Sequence, residues 1–344
     1  MSAHSLTGFA GRLAGLSKHL VVLIPASMLL GLAAGLLTDF SWAKTLILPL
    51  TMLMVYPMLV NFRPADAIGL KDGRAVSIAM ALDFIALPAI AWALAMLFFR
   101  DQPALYVGMV LAGLFPTSGM TISWTGFAKG NVAAAVKMTV IGLIAASLLA
   151  PVYLSVLVGK VVPVDVLGVV QTVVLVVAVP MAAGTLTRKV LVARYGQADY
   201  KQRIAPVFPG LSTLGVLGIV FVAIALKAPM IVGDPRLLLT ISVPLLLFYA
   251  ANFGLSTLAG RAFLPRGDAI AVVYGTVMRN LSIALGIAVA QFGPEAALVL
   301  AVAYIVQVQS AAWYVKLTDR VFGPLAVTPA EEPREESRVA AVTA

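Results

Sequence analysis

The sequence predicts an all-α polytopic membrane protein, and two observations lead to this prediction. Of the 344 residues, 61% are hydrophobic and 11% are charged, whereas a soluble domain has about 25% charged residues. Apolar runs also recur at the length of about 20 residues that a membrane helix needs. The chain has no cysteine, and its two histidines, His4 and His19, lie before or at the edge of the first apolar run. This excludes cysteine nucleophiles and a histidine metal site inside the membrane.

We predict about ten spans from apolar runs that end at a charge, a proline or a glycine. In chain order they cover residues 20–38, 42–61, 75–99, 104–128, 131–158, 164–187, 207–226, 237–260, 268–291 and 296–317. The first run has full span length and lacks a small-residue cleavage site, so we expect no cleaved signal peptide. We expect residues 1–19 to be cytoplasmic and the polar residues 319–344 to form a disordered cytoplasmic tail.

Lys and Arg residues fall mainly on one side of these spans. With an even number of spans both termini share that side, which the positive-inside rule makes cytoplasmic. The net charge of +9 is therefore explained by cytoplasmic loops of a bacterial inner-membrane protein, with lipid as the partner and no nucleic acid. The oligomeric state is not predictable. The basic linker at 188–203 separates two halves, 20–160 and 161–318, and an odd number of spans in each inverts the second half.

The fourth span of each half contains residues that interrupt helices. In the first half, Pro116 lacks a backbone N–H and Gly119 offers little resistance to unwinding. In the second, Gly275 begins the stretch "GTVMRNLS". Interrupted helices at matching positions of inverted repeats are typical of secondary transporters, whose solute sites lie near the bilayer midplane. We therefore predict helix breaks at Pro116, Gly119 and Gly275.

Three ionisable residues lie well inside spans, away from the span ends, namely Asp83, Lys137 and Arg279. Each costs about 2.5–3.5 kcal/mol at a helix centre, so each must face protein or water. Asp83 can neutralise one cation, which leaves one positive charge and favours an anionic ligand. Two alternatives stay open. Asp83 can form a purely structural ion pair with Lys137 or Arg279, and Lys137 can extend its ammonium from near its helix start to the cytoplasmic face.

Uncharged polar residues complete the candidate site, because backbone groups freed at a break must find partners. The substrate-binding candidates are Thr117, Ser118, Arg279, Asn280 and Ser282. The ion-coupling candidates are Asp83, Lys137, Thr139, Asn252 and Gln307. Ordinary roles remain open for the uncharged ones, because hydroxyls in membrane helices often bond to their own backbone and amides often join neighbouring helices.

The stretch "GLFPTSGMTISWTGFAKGN", residues 113–131, resembles the fourth helix of the bile acid:sodium symporter and arsenical-resistance permease superfamily. The arsenite permeases are the closer branch. The stretches "LMVYPMLVNFR", "DFIALP" and "RNLSIALGIAVAQFG" add to the resemblance in the same order along the chain. It implies ten helices in two inverted repeats of five. It also implies a panel domain from the first, second, sixth and seventh helices, and a core domain in which the fourth and ninth helices break and cross.

The chain departs from this superfamily at informative positions. Thr117 stands where the resemblance implies a functional cysteine, and a hydroxyl is a poor substitute for a thiolate towards trivalent arsenic. Arg279, Asn280 and Ser282 stand where the resemblance implies an Asn-Asn pair followed by an acid. Asp83 replaces an expected Asn. The ninth-helix acid that helps to hold sodium in the sodium-coupled relatives has no counterpart in this chain.

Together these observations predict a secondary transporter, not an enzyme, for a small and anionic solute. We expect coupling to a proton through Asp83 rather than to sodium, and no cofactor or resident metal. The ammonium of Lys137 can stand where a sodium ion would otherwise sit. The first alternative is an arsenite or antimonite efflux permease, because hydroxyls and amides can hold an uncharged triol. An intramembrane enzyme or a receptor is a further alternative that no motif supports.

Overall fold

The computed structural model describes residues 15–16, 19–61, 72–159, 161–234 and 236–324, and all regular structure in these ranges is helical. The helices are α1 (Leu20–Leu37), α2 (Ser41–Val60), α3 (Gly73–Phe99), α4a (Pro103–Leu114), α4b (Gly119–Phe127), α5 (Val132–Leu157), α6 (Val166–Ile204), α7 (Val207–Gly233), α8 (Arg236–Phe263), α9a (Arg266–Val277), α9b (Leu281–Ile287) and α10 (Pro294–Phe322). A π-helical turn at Ala288–Phe292 continues α9b.

These helices are those of a polytopic membrane protein. Within the described ranges, eight helical segments are long and apolar enough to cross a membrane, with α9a and α9b counted as one segment. The pair α4a and α4b, bent by 59°, makes a ninth. Val22–Leu37 of α1 is a shorter apolar helix.

Two helix ends differ from the sequence prediction. The basic stretch at 188–203, predicted as a linker, is the continuation of α6, interrupted only at Gly196, which has a φ of +82°. Its Arg, Lys, Leu and Ala residues are good helix formers, so the helix continues past the length a bilayer requires. α10 runs to Phe322, so the start of the predicted tail is helical. Residues 1–14 and 325–344 lie outside the described residues.

The helices pack in two groups. In the first, α7 packs against α1 and α2, and α6 packs against α2. In the second, α4a lies between α3 and α10, α8 packs against α9a, and α4b packs against α5 and α9a. The groups meet where α9b contacts α2 and α6, and where α10 contacts α1 and α7.

Candidate functional site

The break in the fourth helix covers residues 115–118, between α4a and α4b. Thr117 within it has a φ of +55°, a left-handed conformation that costs a β-branched residue about 1–3 kcal/mol. Its side chain is fully buried, with Oγ1 3.5 Å from the carbonyl oxygens of Met138 and Thr139 on α5. A Cβ added at Gly142 would lie 2.7 Å from this Oγ1. Gly142 therefore makes room on α5 for the break.

The break in the ninth helix covers residues 278–280, between α9a and α9b. Asn280 caps α9b, because its side-chain oxygen accepts a hydrogen bond from the backbone N–H of Ile283 at 3.3 Å. The prediction that Gly275 breaks this helix is wrong, since Gly275 lies inside α9a. A Cβ added there would meet Met138 Sδ at 2.7 Å. The glycine thus allows close packing of α9a against Met138 of α5, and the helix does not unwind at this residue.

A backbone hydrogen bond joins the two breaks directly. The N–H of Asn280 donates to the carbonyl oxygen of Phe115 at 2.7 Å. Next to it, Thr121 Oγ1 accepts from the N–H of Ser118 at 3.1 Å and lies 3.5 Å from the carbonyl oxygen of Met278. The broken ends of the two helices therefore supply part of each other's hydrogen bonding, as irregular backbone inside a membrane protein requires.

Asp83 and Arg279 form an ion pair at this contact between the two breaks, which we call the crossing, and both side chains are 0% exposed. Arg279 Nη1 donates to Asp83 Oδ1. Arg279 Nη2 donates to the carbonyl oxygen of Gly113 in the last turn of α4a. Asp83 lies in a π-helical turn, Leu82–Ala86, within α3, and such turns are frequent at functional sites. Of the two cations that the sequence offered as partners, Asp83 binds Arg279.

Lys137 is bound elsewhere. Its ammonium donates to Asp72 at 3.1 Å, just before α3. Asp72 also accepts a hydrogen bond of 2.8 Å from Asn131, which donates to Asp268 at 2.7 Å. The expectation of a surplus positive charge at the site is therefore wrong. Arg279 is balanced by Asp83, and Lys137 by Asp72, which the sequence analysis did not consider because it precedes its span.

The amide candidates gather around the ninth-helix break. Gln307 Oε1 accepts from the N–H of Arg279 at 2.9 Å, and Gln307 Nε2 donates to the carbonyl oxygen of Arg279 at 3.2 Å. Asn252 donates to the carbonyl oxygen of Thr276 at 3.0 Å. Tyr249, which the sequence analysis missed, donates to Gln307 at 2.8 Å. Its position three residues before Asn252 on one helix face was the available signal.

Two hydroxyl candidates, Thr139 and Ser282, are hydrogen-bonded to groups other than the ion pair. Thr139 donates to the carbonyl oxygen of Ala135, in its own helix, at 2.8 Å. Ser282 Oγ lies 2.6 Å from the hydroxyl of Tyr304 on α10. Neither of these hydrogen bonds links a hydroxyl to the ion pair.

Several buried polar atoms lack a hydrogen-bond partner within the described part of the chain. They are Asp83 Oδ2, Ser118 Oγ, Thr125 Oγ1, Asn252 Oδ1 and Arg279 Nε. An unsatisfied buried polar group costs about 1–3 kcal/mol, and each one in a folded protein calls for an explanation. Four of these five residues were predicted site residues, and they flank the two breaks.

The central part of the chain matches a known family. Residues 48–234, more than half of the chain, match the family model of the Sodium Bile acid symporter family. The chain belongs to this family. The superfamily resemblance predicted from the sequence is thereby confirmed, and so is the prediction of a membrane transporter rather than an enzyme.

Three individual proteins align with most of the chain, beyond the residues that match the family model. The arsenical-resistance protein Acr3 of Corynebacterium glutamicum is 23% identical over 306 residues, which cover 85% of this chain and 79% of that protein. Acr3 of Alkaliphilus metalliredigens is 24% identical over 334 residues, covering 88% and 92%. The uncharacterized protein YbaS of Bacillus subtilis is 24% identical over 291 residues, covering 83% and 92%.

In this symporter-family chain the two half-helices that follow the breaks differ in burial. All residues of α9b are buried, and Gly286 packs against Thr51 of α2 and Val176 of α6. α4b has an exposed face that begins at Gly119, where an added Cβ would lie 3.9 Å from Cγ of Met58 on α2. That face continues through Ser123, Gly126 and Phe127. Contacts with the first helix group thus help to bury α9b, whereas one face of α4b is exposed in the described part of the chain.

Proposed function

We propose that this chain is a secondary transporter that moves a small polar solute across the inner membrane by alternating access. The observation that carries the proposal is the 2.7 Å hydrogen bond from Asn280 to Phe115 between two broken helices. Broken helices that meet inside a transporter place open backbone at the solute site. Ser118 Oγ and Asn252 Oδ1, which have no hydrogen-bond partner among the described residues, lie beside this junction, and a solute can supply their hydrogen bonds.

We propose that α1, α2, α6 and α7 form a panel domain and that the other helices form a core domain. In this arrangement residues 20–160 and 161–318 are inverted repeats, so α4b and α9b are equivalent. The burial of α9b and the exposed face of α4b then correspond to a state open on the side where α4b ends. With both termini cytoplasmic, that side is the cytoplasm. Movement of the core against the panel would exchange the two exposures.

The charge balance favours a solute of low net charge with several hydroxyl groups. Asp83 neutralises Arg279, and the other predicted binding residues are uncharged. Two relatives are named arsenical-resistance proteins, and arsenite is an uncharged triol at neutral pH. Arsenite or antimonite is therefore the first solute to test, with Thr117, Ser118, Asn280 and Ser282 as proposed contacts.

A small anion is the second candidate, because one observation favours it. Both α4b and α9b begin at the crossing, and the N-terminus of a helix carries a partial positive charge that attracts anions. Half-helix N-termini serve this purpose in other transporters. An anion would have to be held mainly by these backbone N–H groups, since the Arg279 charge is already compensated.

We further propose that a proton, carried by Asp83, couples transport to the membrane gradient. Asp83 Oδ1 accepts from Arg279, whereas Oδ2 has no partner among the described residues and offers a place for the proton. Loss of pH-driven transport in an Asp83→Asn variant that still binds solute would support this role. Unchanged pH-driven transport would exclude it.

The decisive experiment is solute accumulation in everted membrane vesicles, measured for arsenite, antimonite and a series of small anions under an imposed pH gradient. We expect arsenite uptake that Ser118→Ala and Asn280→Ala reduce at least tenfold. Thr117→Cys should tighten arsenite binding, because a thiolate is a better arsenic ligand than a hydroxyl. Thr125→Cys, in α4b beyond the break, is the matched control. Accumulation of anions without arsenite would establish the second candidate, and accumulation of neither would contradict the proposed solute classes.

A further inference from the structure

The guanidinium of Arg279 is held by a set of groups that suits a bound cation. Its Nη1 donates to the carboxylate of Asp83 and lies 3.4 Å from the carbonyl oxygen of Thr276, and its Nη2 donates to the carbonyl oxygen of Gly113. Gly113 lies in the last turn of α4a and Thr276 in the last turn of α9a. Two broken helices therefore end at the same positive charge.

The ends of these half-helices explain why a cation belongs there. The last four carbonyl groups of a helix have no partner within the helix, and the C-terminus carries a partial negative charge. One carboxylate and two such carbonyl oxygens form a hard, all-oxygen environment of the kind that hard metal cations prefer. In a site buried to 0% exposure, these oxygens would destabilise the fold without a compensating positive charge.

We infer that Arg279 is a tethered cation that takes the place of a coupling sodium ion, so that transport by this chain does not require sodium. The inference rests on the proposed transport function. The family description names sodium, but Asp83 Oδ1 and the carbonyl oxygen of Gly113 accept hydrogen bonds from the guanidinium of the chain itself. Lys137 was predicted for this role from the sequence, but its ammonium donates to Asp72 at 3.1 Å.

The backbone of Arg279 is fixed, so the cation stays in place. Gln307 both accepts from the N–H and donates to the carbonyl oxygen of Arg279, and Tyr249 donates to Gln307. These residues come from α10 and α8. Hydrogen bonds from two helices outside the break therefore hold the residue that carries the charge. A free ion would have to be bound again in each cycle, whereas this cation moves only with the core.

The test measures thermal stability of the purified full-length protein, in which a specifically bound cation raises the unfolding midpoint by mass action. For the wild type we expect the same midpoint in sodium, potassium and choline at fixed ionic strength. Arg279→Ser should lower the midpoint, and millimolar guanidinium, far below denaturing concentration, should restore about 2 °C or more of it. Sodium should give a smaller, saturable rise in the same variant. Adding Asp83→Asn to Arg279→Ser should abolish both rises.

Arg266→Ser is the matched control, because Arg266 pairs with Asp319 at 2.6 Å near the helix ends and should show no cation-specific effect. A saturable sodium-specific rise in the wild type would overturn the inference, as would an Arg279→Ser protein that folds and responds to no cation. If Arg279→Ser does not fold, the wild-type titration alone decides. Absence of arsenite or anion transport would contradict the proposed solutes and leave these stability results standing. Sodium-driven transport would contradict the inference and the proposed proton coupling, but not the proposed solutes.

Discussion

Lys227 on α7 donates a hydrogen bond of 2.6 Å to Glu295 at the start of α10, so an ion pair joins the two helix groups beside the buried end of the crossing. Gln291 adds a second link there, because it donates to Thr172 and, at 3.1 Å, to the carbonyl oxygen of Gly168 on α6. Both links must open if the core moves against the panel.

We predict that Glu295→Gln shifts the protein towards the state that is open at this end. The pair is partly exposed, with 19% and 43% of the two side chains accessible, so its loss should change the equilibrium by at most about fivefold. The chain has no cysteine, so a Ser282→Cys reporter on α9b gives a clean signal. Its labelling by a membrane-impermeant thiol reagent should accelerate. Asp319→Asn breaks the pair with Arg266 within one helix group and should leave the rate unchanged. Equal rates for both variants would argue against a role of the Lys227–Glu295 pair in closing this end.

Gly142→Ala should destabilise the break in the fourth helix. The new methyl group would lie 2.7 Å from Thr117 Oγ1, and overpacking of this kind costs about 1–3 kcal/mol. The measurement is the unfolding midpoint of purified protein. Gly254→Ala on α8, with no atom within 4 Å of the added carbon, is the control and should not lower it. Thr117→Gly should rescue Gly142→Ala by removing both the hydroxyl and the left-handed strain. A midpoint that falls further in the double variant would rule out this contact as the cause.

Gly113→Ala should separate α4a from α3. Its methyl carbon would lie 2.3 Å from the Cβ of Ala91, and neither carbon can rotate away. We expect a lower unfolding midpoint and a loss of solute binding, since the Gly113 carbonyl oxygen would shift relative to Arg279. Ala91→Gly added to Gly113→Ala should restore most of both. Without any rescue, the effect would have to arise from the α4a backbone itself.

Asn280→Ala should cost about 1 kcal/mol through loss of the α9b cap, whereas Asn280→Ser should cost less, because serine also caps helices well. The effect is measured as the free energy of unfolding in denaturant. Equal losses in both variants would show that the cap at 3.3 Å is not what Asn280 contributes.

The break positions illustrate how far the sequence alone leads. Pro116 marks the break in the fourth helix, but proline alone does not predict a break, because Pro151 and Pro244 lie inside α5 and α8. The nearby Gly119, which offers little resistance to unwinding, strengthened the prediction at Pro116. The break predicted at Gly275 was wrong because glycine can allow close packing of helices as well as unwinding. The sequence does not show that Met138 lies next to Gly275, and this contact indicates the packing role. The end of α6 was predicted wrongly, because hydropathy indicates which residues are apolar enough to lie in a bilayer and does not indicate where the helix ends.

Arg279 and Asp83 were identified as site residues because a charge in a span is costly wherever it lies. Their pairing was not predictable, since both Lys137 and Arg279 offered the same charge. The Gly113 carbonyl could not be found at all, because every residue has one and the sequence does not show which are left free. Asp72 was overlooked because a loop residue reaches Lys137 only after the chain has folded.

The compensation of the Arg279 charge by Asp83 also determines how strongly the membrane voltage acts on movement of the core. Moving one elementary charge through 100 mV takes about 2.3 kcal/mol, but a pair with no net charge takes none when it moves as a unit. With the cation built into the chain and an uncharged solute, the displacement of the core would be electrically silent. Any voltage dependence of this protein would then report the proton alone.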